Sequence, residues 1–414
     1  MSEQAPPGLA DLASMADPAV IADPYPLLAW FRDASPFAEL DGALVVFGRY
    51  EDCSRILRDP RASSERERSR LGPPELQAQA QERTRSFLSL DPPDHTRLRR
   101  LVAKAFTPRV VATLAPRITQ VTHDLLSAAQ ASSDHQLELV SQLAYPLPVR
   151  IISELLGVPP EDHSRFAGWS AKLAHSVQPS FGAIDPAELA DAEQAGLEFG
   201  EYFTELIAVR RSRPADDLLT KLIRAEDAGD RLTVDELIAS CVLLLVAGHE
   251  TTVGLIANAM LALLRNPGQL AALAAEPHLA ADAVQETLRY DPPVQLTGRV
   301  ARGGMTIDGL EPPDGAMLLL LLAATGRDPA VFADPDTFDI RRRAREHLAF
   351  AAGVHFCLGA PLARLEATIA LEAIAQRVAG PGLDGSIAYK PNFNLRGPQH
   401  MVVTFDEIRP RAAG

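Results

Sequence analysis

Between Thr96 and Arg265 the apolar positions recur mostly at helical spacing, with breaks at Pro146, Pro148, Pro159-Pro160 and Pro214. The clearest single element is a helix opened by Thr233-Val-Asp-Glu236, a capping box, and stopped by Asn266-Pro267. A helix of thirty-odd residues spans roughly 50 Å, the width of a whole domain. Strand signals are fewer. Ala43 to Phe47, around Val45 and Val46, predicts a small strand. Apolar runs from Val294 to Leu320, punctuated by Gly303-Gly304, Asp308-Gly309 and Pro312-Pro313, predict hairpin strands. A helix follows Pro361, and the tail to Gly414 reads as strands and turns. The Pro-, Ala- and Asp-rich start predicts an extended arm over residues 1–24. Arg61 to Glu82 is polar, carries Gly72-Pro73-Pro74, and predicts a long loop with weak helix. With no internal repeat and no linker, residues 25–414 read as one mainly α domain with small β-sheets.

Composition narrows the classes. Of 414 residues, 47% are hydrophobic and 23% charged, so a large core is expected and overall disorder is not. Forty Lys+Arg against 54 Asp+Glu give a net charge of −14, which argues against a nucleic-acid-coating protein. Cys53, Cys241 and Cys357 form no C-x-x-C, which excludes a disulfide scaffold, a zinc ribbon and covalent c-type haem attachment, and suggests a reducing cytoplasm. Met1 to Pro24 holds no Lys or Arg and no apolar core, so no secretory signal is expected. The longest apolar run, Ala316 to Ala324, is too short to span a membrane.

Four groups of residues carry candidate chemistry. In the segment from Phe350 to Arg364, Gly353 and Gly359 bracket Cys357 just before a helix with Pro361 in its first turn. Glycine lets a flat ligand approach the chain, and a helix N-terminus favours a thiolate able to ligate iron. The plainer alternative is a buried cysteine in a turn. In the middle of the long helix, Ala247-Gly248-His249-Glu250-Thr251-Thr252 interrupts an otherwise oily sequence. Gly248 costs about 1 kcal/mol relative to Ala, and a buried Glu250 must be paired or hydrated. An exposed turn of a surface helix is the alternative; a zinc-protease motif is excluded because the second histidine is missing. Glu286 and Arg289 share a helical face at i,i+3, which by itself means a surface ion pair. Asp91-Pro92-Pro93-Asp94-His95 opens a helix whose His95 and Arg99 lie on one face, either a solvated basic face or a clamp for carboxylates.

Taken together, F-x-x-G-x-H-x-C-x-G-x-x-L-A-R at 350–364 and A-G-x-E-T-T at 247–252 resemble the cytochrome P450 family, haem-thiolate monooxygenases of the soluble bacterial type, over nearly the whole chain from Asp23. The resemblance implies a single P450-type fold with a long central helix crossing the haem. It implies haem b with Cys357 as axial iron ligand. Glu250 would feed protons, and Thr251 would hold dioxygen and its water. Ala247 and Gly248 would leave room beside the iron, and His95, Arg99, Arg299 and His355 would bind the propionates. Phe350, Gly353 and Gly359 would shape the cysteine loop, where Ala351-Ala352 replace frequent glycine. Glu286 and Arg289 would serve folding and haem retention, although Thr337 stands where relatives carry a third, arginine member. Gly326 replaces a common Asn.

The same resemblance implies electrons from a ferredoxin and its reductase, since the chain has no flavin, nicotinamide or iron–sulfur fingerprint. Arg341 to Arg343, Arg345, Lys104 and Arg109 are candidate docking cations, with a solvated charge run as the alternative. The implied substrate pocket takes Leu88, Leu244, Ala247, Val294, Leu296, Phe393 and Asn394. Gln295, Asn392 and Asn394 would orient a polar substituent. Loops at 61–88 and 165–195 would open for entry. The expected protein is a monomer that inserts one oxygen atom from O2 into a hydrophobic or amphipathic small molecule, such as a polyketide, macrolide, terpenoid or steroid. The alternatives are a peroxide-driven peroxygenase and a haem sensor without turnover.

Overall fold

The long helix forms as its sequence predicts, over Val234–Arg265. Thr233 Oγ1 accepts the Glu236 amide and Glu236 accepts the Thr233 amide, which satisfies two otherwise orphaned donors. The structure is a computed structural model describing residues 8–72, 84–130, 135–174, 186–227 and 229–411. In it the central helix packs against Pro146–Leu155, Ala280–Tyr290 and Ala360–Arg377. Among the described helices it alone is long and apolar enough to cross a membrane, and most of it is buried by these neighbours.

The strand expected near Val45 spans Leu44–Phe47, parallel to Met317–Leu320, with Val45 opposite Leu318. Met317–Leu320 in turn pairs antiparallel with Thr297–Ala301, the expected hairpin partner. Phe37–Glu39 and Ala62–Ser63 complete five strands. Alternation along the strand sends Val45 and Phe47 into one apolar cluster and Leu44 and Val46 into another, so both faces are covered. In the tail, Gly382–Tyr389 pairs with Pro398–Thr404, which also pairs with Gln136–Glu138. The turn from Lys390 to Gly397 returns the chain to the central helix.

Two expectations need correction. The extended arm is instead two short helices, Leu9–Ala13 and Pro18–Ala22, joined by a 3-10 turn. Asp17 caps the second by accepting the Ala19 amide, with Pro18 at the first helical position, and Leu12, Met15 and Ile21 are buried. Their spacing was masked by the Pro/Ala/Asp composition around them. The supposed loop at 165–195 is largely helical, within His163–Ala174 and Pro186–Ser212. Its residues 175–185, and 73–83 of the loop at 61–88, lie outside the described residues.

Candidate active site

The central helix, the cysteine loop and the helix Asp94–Ala105 enclose a cavity of about 250 Å³. Cys357 and Gly359 line it from the loop. Ala247, Gly248, Thr251 and Thr252 line it from the central helix, and Arg99 and His355 from one rim. A Cβ at Gly248 would meet only Ile152 Cδ1, at 4.0 Å, so this helical turn leaves free space beside it.

The loop that presents Cys357 is held by backbone geometry. Its amide donates to the Phe350 carbonyl at 3.0 Å. Gly353 has φ +69°, and a Cβ there would lie 2.3 Å from the Leu57 carbonyl oxygen, so glycine is required twice over. Ala351 also sits in the left-handed region, at φ +56°, which explains why glycine suits that position. Burial pushes the Cys357 thiol up; the Gly359 and Ala360 amides and the Arg99 and Arg364 guanidiniums pull it down without cancelling that rise. The helix N-terminus alone therefore does not make the thiolate; a bound metal cation would.

The chemistry of the rim fits haem. His95 is buried, and among the described residues neither of its ring nitrogens has a partner; His355 Nε2 is likewise unpartnered, with the two ring centroids 4.2 Å apart. Arg299 is buried, and among the described residues its guanidinium bonds only the Thr297 hydroxyl and the Gly298 carbonyl, at 3.3 and 2.8 Å. Burial lowers His95, with Arg99 adding to it, and lowers His355 to about 3, with Arg299 and His95 adding to it. A cluster of cations and orphaned imidazoles above a thiol matches a planar group with two carboxylates. Asp91, the nearby acid, is already engaged by Ser63, the Ser64 amide and Arg302.

Glu250 does not line the cavity. Its Oε2 meets Lys390 Nζ at 2.5 Å and its Oε1 lies 3.4 Å from His249 Nε2. Burial pushes this carboxyl up, but the His249 contact and the Lys390 ammonium outweigh it and hold it at about 2. The pairing that a buried Glu250 needs thus comes from Lys390, 140 residues away, with no signal in the sequence. Thr251 donates to the Ala247 carbonyl at 2.9 Å, so its hydroxyl oxygen is left to accept from the cavity side.

Glu286 and Arg289 are both fully buried and joined twice, at 2.8 and 2.6 Å. Arg289 also donates to the Gly326, Pro335 and Thr337 carbonyls. Thr337 thus serves through its backbone, and the third member is Arg342, whose Nε donates to Glu286 Oε1 at 3.2 Å. Gly326 also gains a reason, because a Cβ there would fall 2.0 Å from the Arg289 carbonyl oxygen. The expectation of a basic docking patch at Arg341 to Arg343 is corrected at Arg342, whose side chain is drawn into this network. Arg341 pairs with Glu276 at the surface, and Arg341, Arg343 and Arg345 are all exposed.

Of the expected pocket, Leu88, Leu244, Ala247 and Val294 line the cavity, together with Phe87, Leu243 and Thr297, which sequence reasoning missed. Leu296, Phe393 and Asn394 do not. Leu296 and Phe393 pack in the cluster with Leu28 and Val46. Asn394 Oδ1 accepts the Leu296 amide at 3.2 Å, Gln295 Nε2 donates to the Pro292 carbonyl, and Asn392 Oδ1 accepts the Leu395 amide. Asn394 thus ties the tail turn to Leu296, while the Gln295 and Asn392 side chains bond within their own turns.

A thiol lining a cavity, cations around its rim and a polar turn of the central helix define a haem-thiolate site. The family model for Cytochrome P450 matches residues 42–378. Cytochrome P450 monooxygenase PikC of Streptomyces venezuelae is 41% identical over 95% of this chain and 93% of its own length. The Vitamin D(3) 25-hydroxylase of Pseudonocardia autotrophica is 38% identical over 94% and 95%. Ligand-free CYP164A2 of Mycobacterium smegmatis superposes with a TM-score of 0.88 at 47% identity, covering 95% of this chain and 99% of that one. The chain belongs to the cytochrome P450 family. It is a monooxygenase that uses haem b with a cysteine thiolate ligand.

Proposed function

We propose that this monooxygenase hydroxylates or epoxidises a hydrophobic or amphipathic small molecule of the polyketide, macrolide, terpenoid or steroid kind in the cytoplasm, with electrons from a ferredoxin and its reductase. The cavity wall carries the substrate part of this reading. Away from Arg99 and His355 its side chains are apolar except for Thr251, Thr252 and Thr297. Such a wall gains by burying apolar surface and offers a hydroxyl or two for orientation. A relative named for vitamin D(3) hydroxylation supports the same class.

Bound against Cys357, haem supplies oxygen activation, the thiolate favouring O–O cleavage. The chain's own residues divide the remaining work. Cys357 would hold the iron, while His95, Arg99, Arg299 and His355 would hold the carboxylates. Ala247 and Gly248 keep space free beside the helix, and Thr251 would offer its hydroxyl oxygen on the cavity side. Glu250 is the acid that returns protons. For the electron donor, Val354 and Phe356 stand 53% and 41% exposed on the cysteine loop, beside Arg58 and Arg99. An apolar patch with a basic rim suits a small acidic protein.

Spin-state titration of the haem-loaded enzyme against macrolides, terpenoids and steroids tests the substrate class. A shift to high spin with an apolar ligand is expected; shifts confined to small polar ligands would overturn the reading. Arg343→Glu with Arg345→Glu should slow reduction by ferredoxin and weaken its salt dependence. Full turnover on peroxide alone at the rate seen with ferredoxin would favour the peroxygenase alternative.

A further inference from the structure

A second cavity, of about 710 Å³, adjoins the first, and Leu88, Leu243, Thr297 and His355 belong to the walls of both. The central helix contributes Ile238, Ala239 and Val242 to its wall. Another part comes from Arg66, which opens the 3-10 turn Arg66–Arg68. That turn packs against the strand Thr297–Ala301, which sets Arg66 near Arg299. Burial lowers the Arg299 guanidinium to about 10, and Arg66 adds to the fall while Asp91 opposes it. Other charges in this wall are already offset. Arg85 pairs with Glu67, and Asp235 stands in the first turn of the central helix, where the helix N-terminus favours a negative charge. Arg66 has no hydrogen bond or ion pair among the described residues. Ser64 Oγ, in the same wall, is buried and also lacks a partner there. Buried hydroxyls are normally bonded, and a guanidinium without an acid holds five donors ready.

We propose that Ser64 and Arg66 form a subsite for a carboxylate on the substrate, so that the enzyme takes amphipathic acids whose charged end stays in the outer chamber while the apolar body reaches past Leu88 and Leu243 toward Cys357. The two chambers divide such a molecule by chemistry. The inner wall is mostly apolar, whereas the outer one adds the Ser64, Ser86 and Ser89 hydroxyls to its cations. A guanidinium meets a carboxylate through two parallel N–H donors, and the Ser64 hydroxyl supplies a third. The haem carboxylates do not need this pair, because His95, Arg99, Arg299 and His355 already suffice for two of them. Arg66 and Leu88 are exposed, so solvent reaches the outer chamber and an acid can enter with its charge still hydrated. Holding the acid there also fixes the site of oxidation. Carbons near the carboxylate are kept in the outer chamber, and the far end of the apolar body is the part presented above the thiolate.

The proposal rests on the apolar-substrate reading above, but its test reads binding and needs no turnover. The haem-loaded enzyme is titrated by spin-state shift with dodecanoic acid and with a steroid carboxylic acid, each beside its own methyl ester. In at least one pair the acid should bind about ten-fold tighter than the ester, and the advantage should shrink at about 1 M salt. Arg66→Leu should abolish that advantage and leave the ester's affinity unchanged. Arg66→Lys should keep part of it, and Ser64→Ala should cut it about three-fold. Acids that bind no tighter than their esters overturn the proposal and leave the apolar-substrate reading standing; if neither acids nor esters shift the spin state, both fall. Haem transfer to an acceptor protein tests the rival role for Arg66. Arg66→Leu should release haem at the parent rate, and Arg299→Leu faster; equal acceleration in the two variants would make Arg66 a holder of the haem carboxylates and overturn the proposal. Should Arg66→Leu fail to fold, Arg66→Lys and Ser64→Ala still decide.

Discussion

Glu366 lies on the helix that starts at Ala360, one turn beyond the cavity-lining Leu362, fully buried with neither carboxylate oxygen bonded to any group among the described residues. Burial pushes it up to about 8 from its ordinary 4.5. The folded protein thus keeps the proton while the unfolded chain releases it, so stability falls as the pH rises from 4.5 toward 8 and then levels off. At 1.36 kcal/mol per pH decade, the loss is about 2 kcal/mol by pH 6 and about 5 kcal/mol above pH 8. Glu366→Gln keeps the shape and removes the ionisation. Its own unpartnered amide adds an offset that does not change with pH. Relative to the parent enzyme, the variant should therefore gain about 3 kcal/mol between pH 6 and pH 9. With an unfolding entropy of about 2 cal/mol/K per residue over 414 residues, this gain widens the difference in melting temperature by about 3 °C. Thermal unfolding of both haem-loaded proteins, followed by circular dichroism at several pH values, measures it. A melting difference that stays constant from pH 6 to pH 9 would refute the argument, because it would mean that Glu366 is ionised and hydrated throughout.

Three further outcomes are expected. Arg289→Ala leaves Glu286 buried with only Arg342 and the Asp339 amide, and should cost about 3–5 kcal/mol and loosen haem; Arg342→Ala, which leaves the twin Arg289 bond intact, should cost less, and equal losses in denaturant unfolding would contradict the network drawn here. Ala351→Gly relieves a left-handed alanine worth about 1–2 kcal/mol, partly offset by the unfolded-state entropy of glycine, so a net gain of up to about 1 kcal/mol is expected in the same assay. Thr251→Ala should leave haem content and ligand-induced spin shifts intact while diverting most electrons to peroxide, read as peroxide released per reductant consumed; unchanged coupling would remove Thr251 from its assigned role.

What could be read from the sequence was what lies within one element or one short loop. The cysteine loop, the polar turn at Ala247–Thr252, and the pairs at i,i+3 or i,i+4 are contiguous, so helical geometry alone puts their side chains together. The capping box at Thr233 and Glu236 belongs with them. Contacts between distant segments were a different matter. Burying Glu250 announced the need for a cation, but 40 candidates exist, and only the return of the tail turn to the central helix selects Lys390. In the same way, the run at Arg341 to Arg343 has one charge sign along the chain but three different surroundings in space. Its middle member is turned inward to Glu286, while its first pairs with Glu276 at the surface.

The pocket errors have the same origin. Val294 and Leu296 are two residues apart, and both follow a proline-rich turn, so their apolar character could not tell which one faces the cavity. That choice is made where Gln295 donates its amide to the Asn394 carbonyl and Leu296 donates to the Asn394 side chain. This pairing draws the tail turn against the strand, carries Leu296 and Phe393 into the cluster around Leu28, and leaves Val294 at the cavity wall. The thiol shows the limit of local reasoning from the other side. A cysteine before a helix gains from the amides of Gly359 and Ala360, as expected, yet the burial that the whole fold imposes outweighs that gain. The loop thus aims the sulfur into the cavity and the fold raises its pKa, so the charge on Cys357 is tied to binding of the metal.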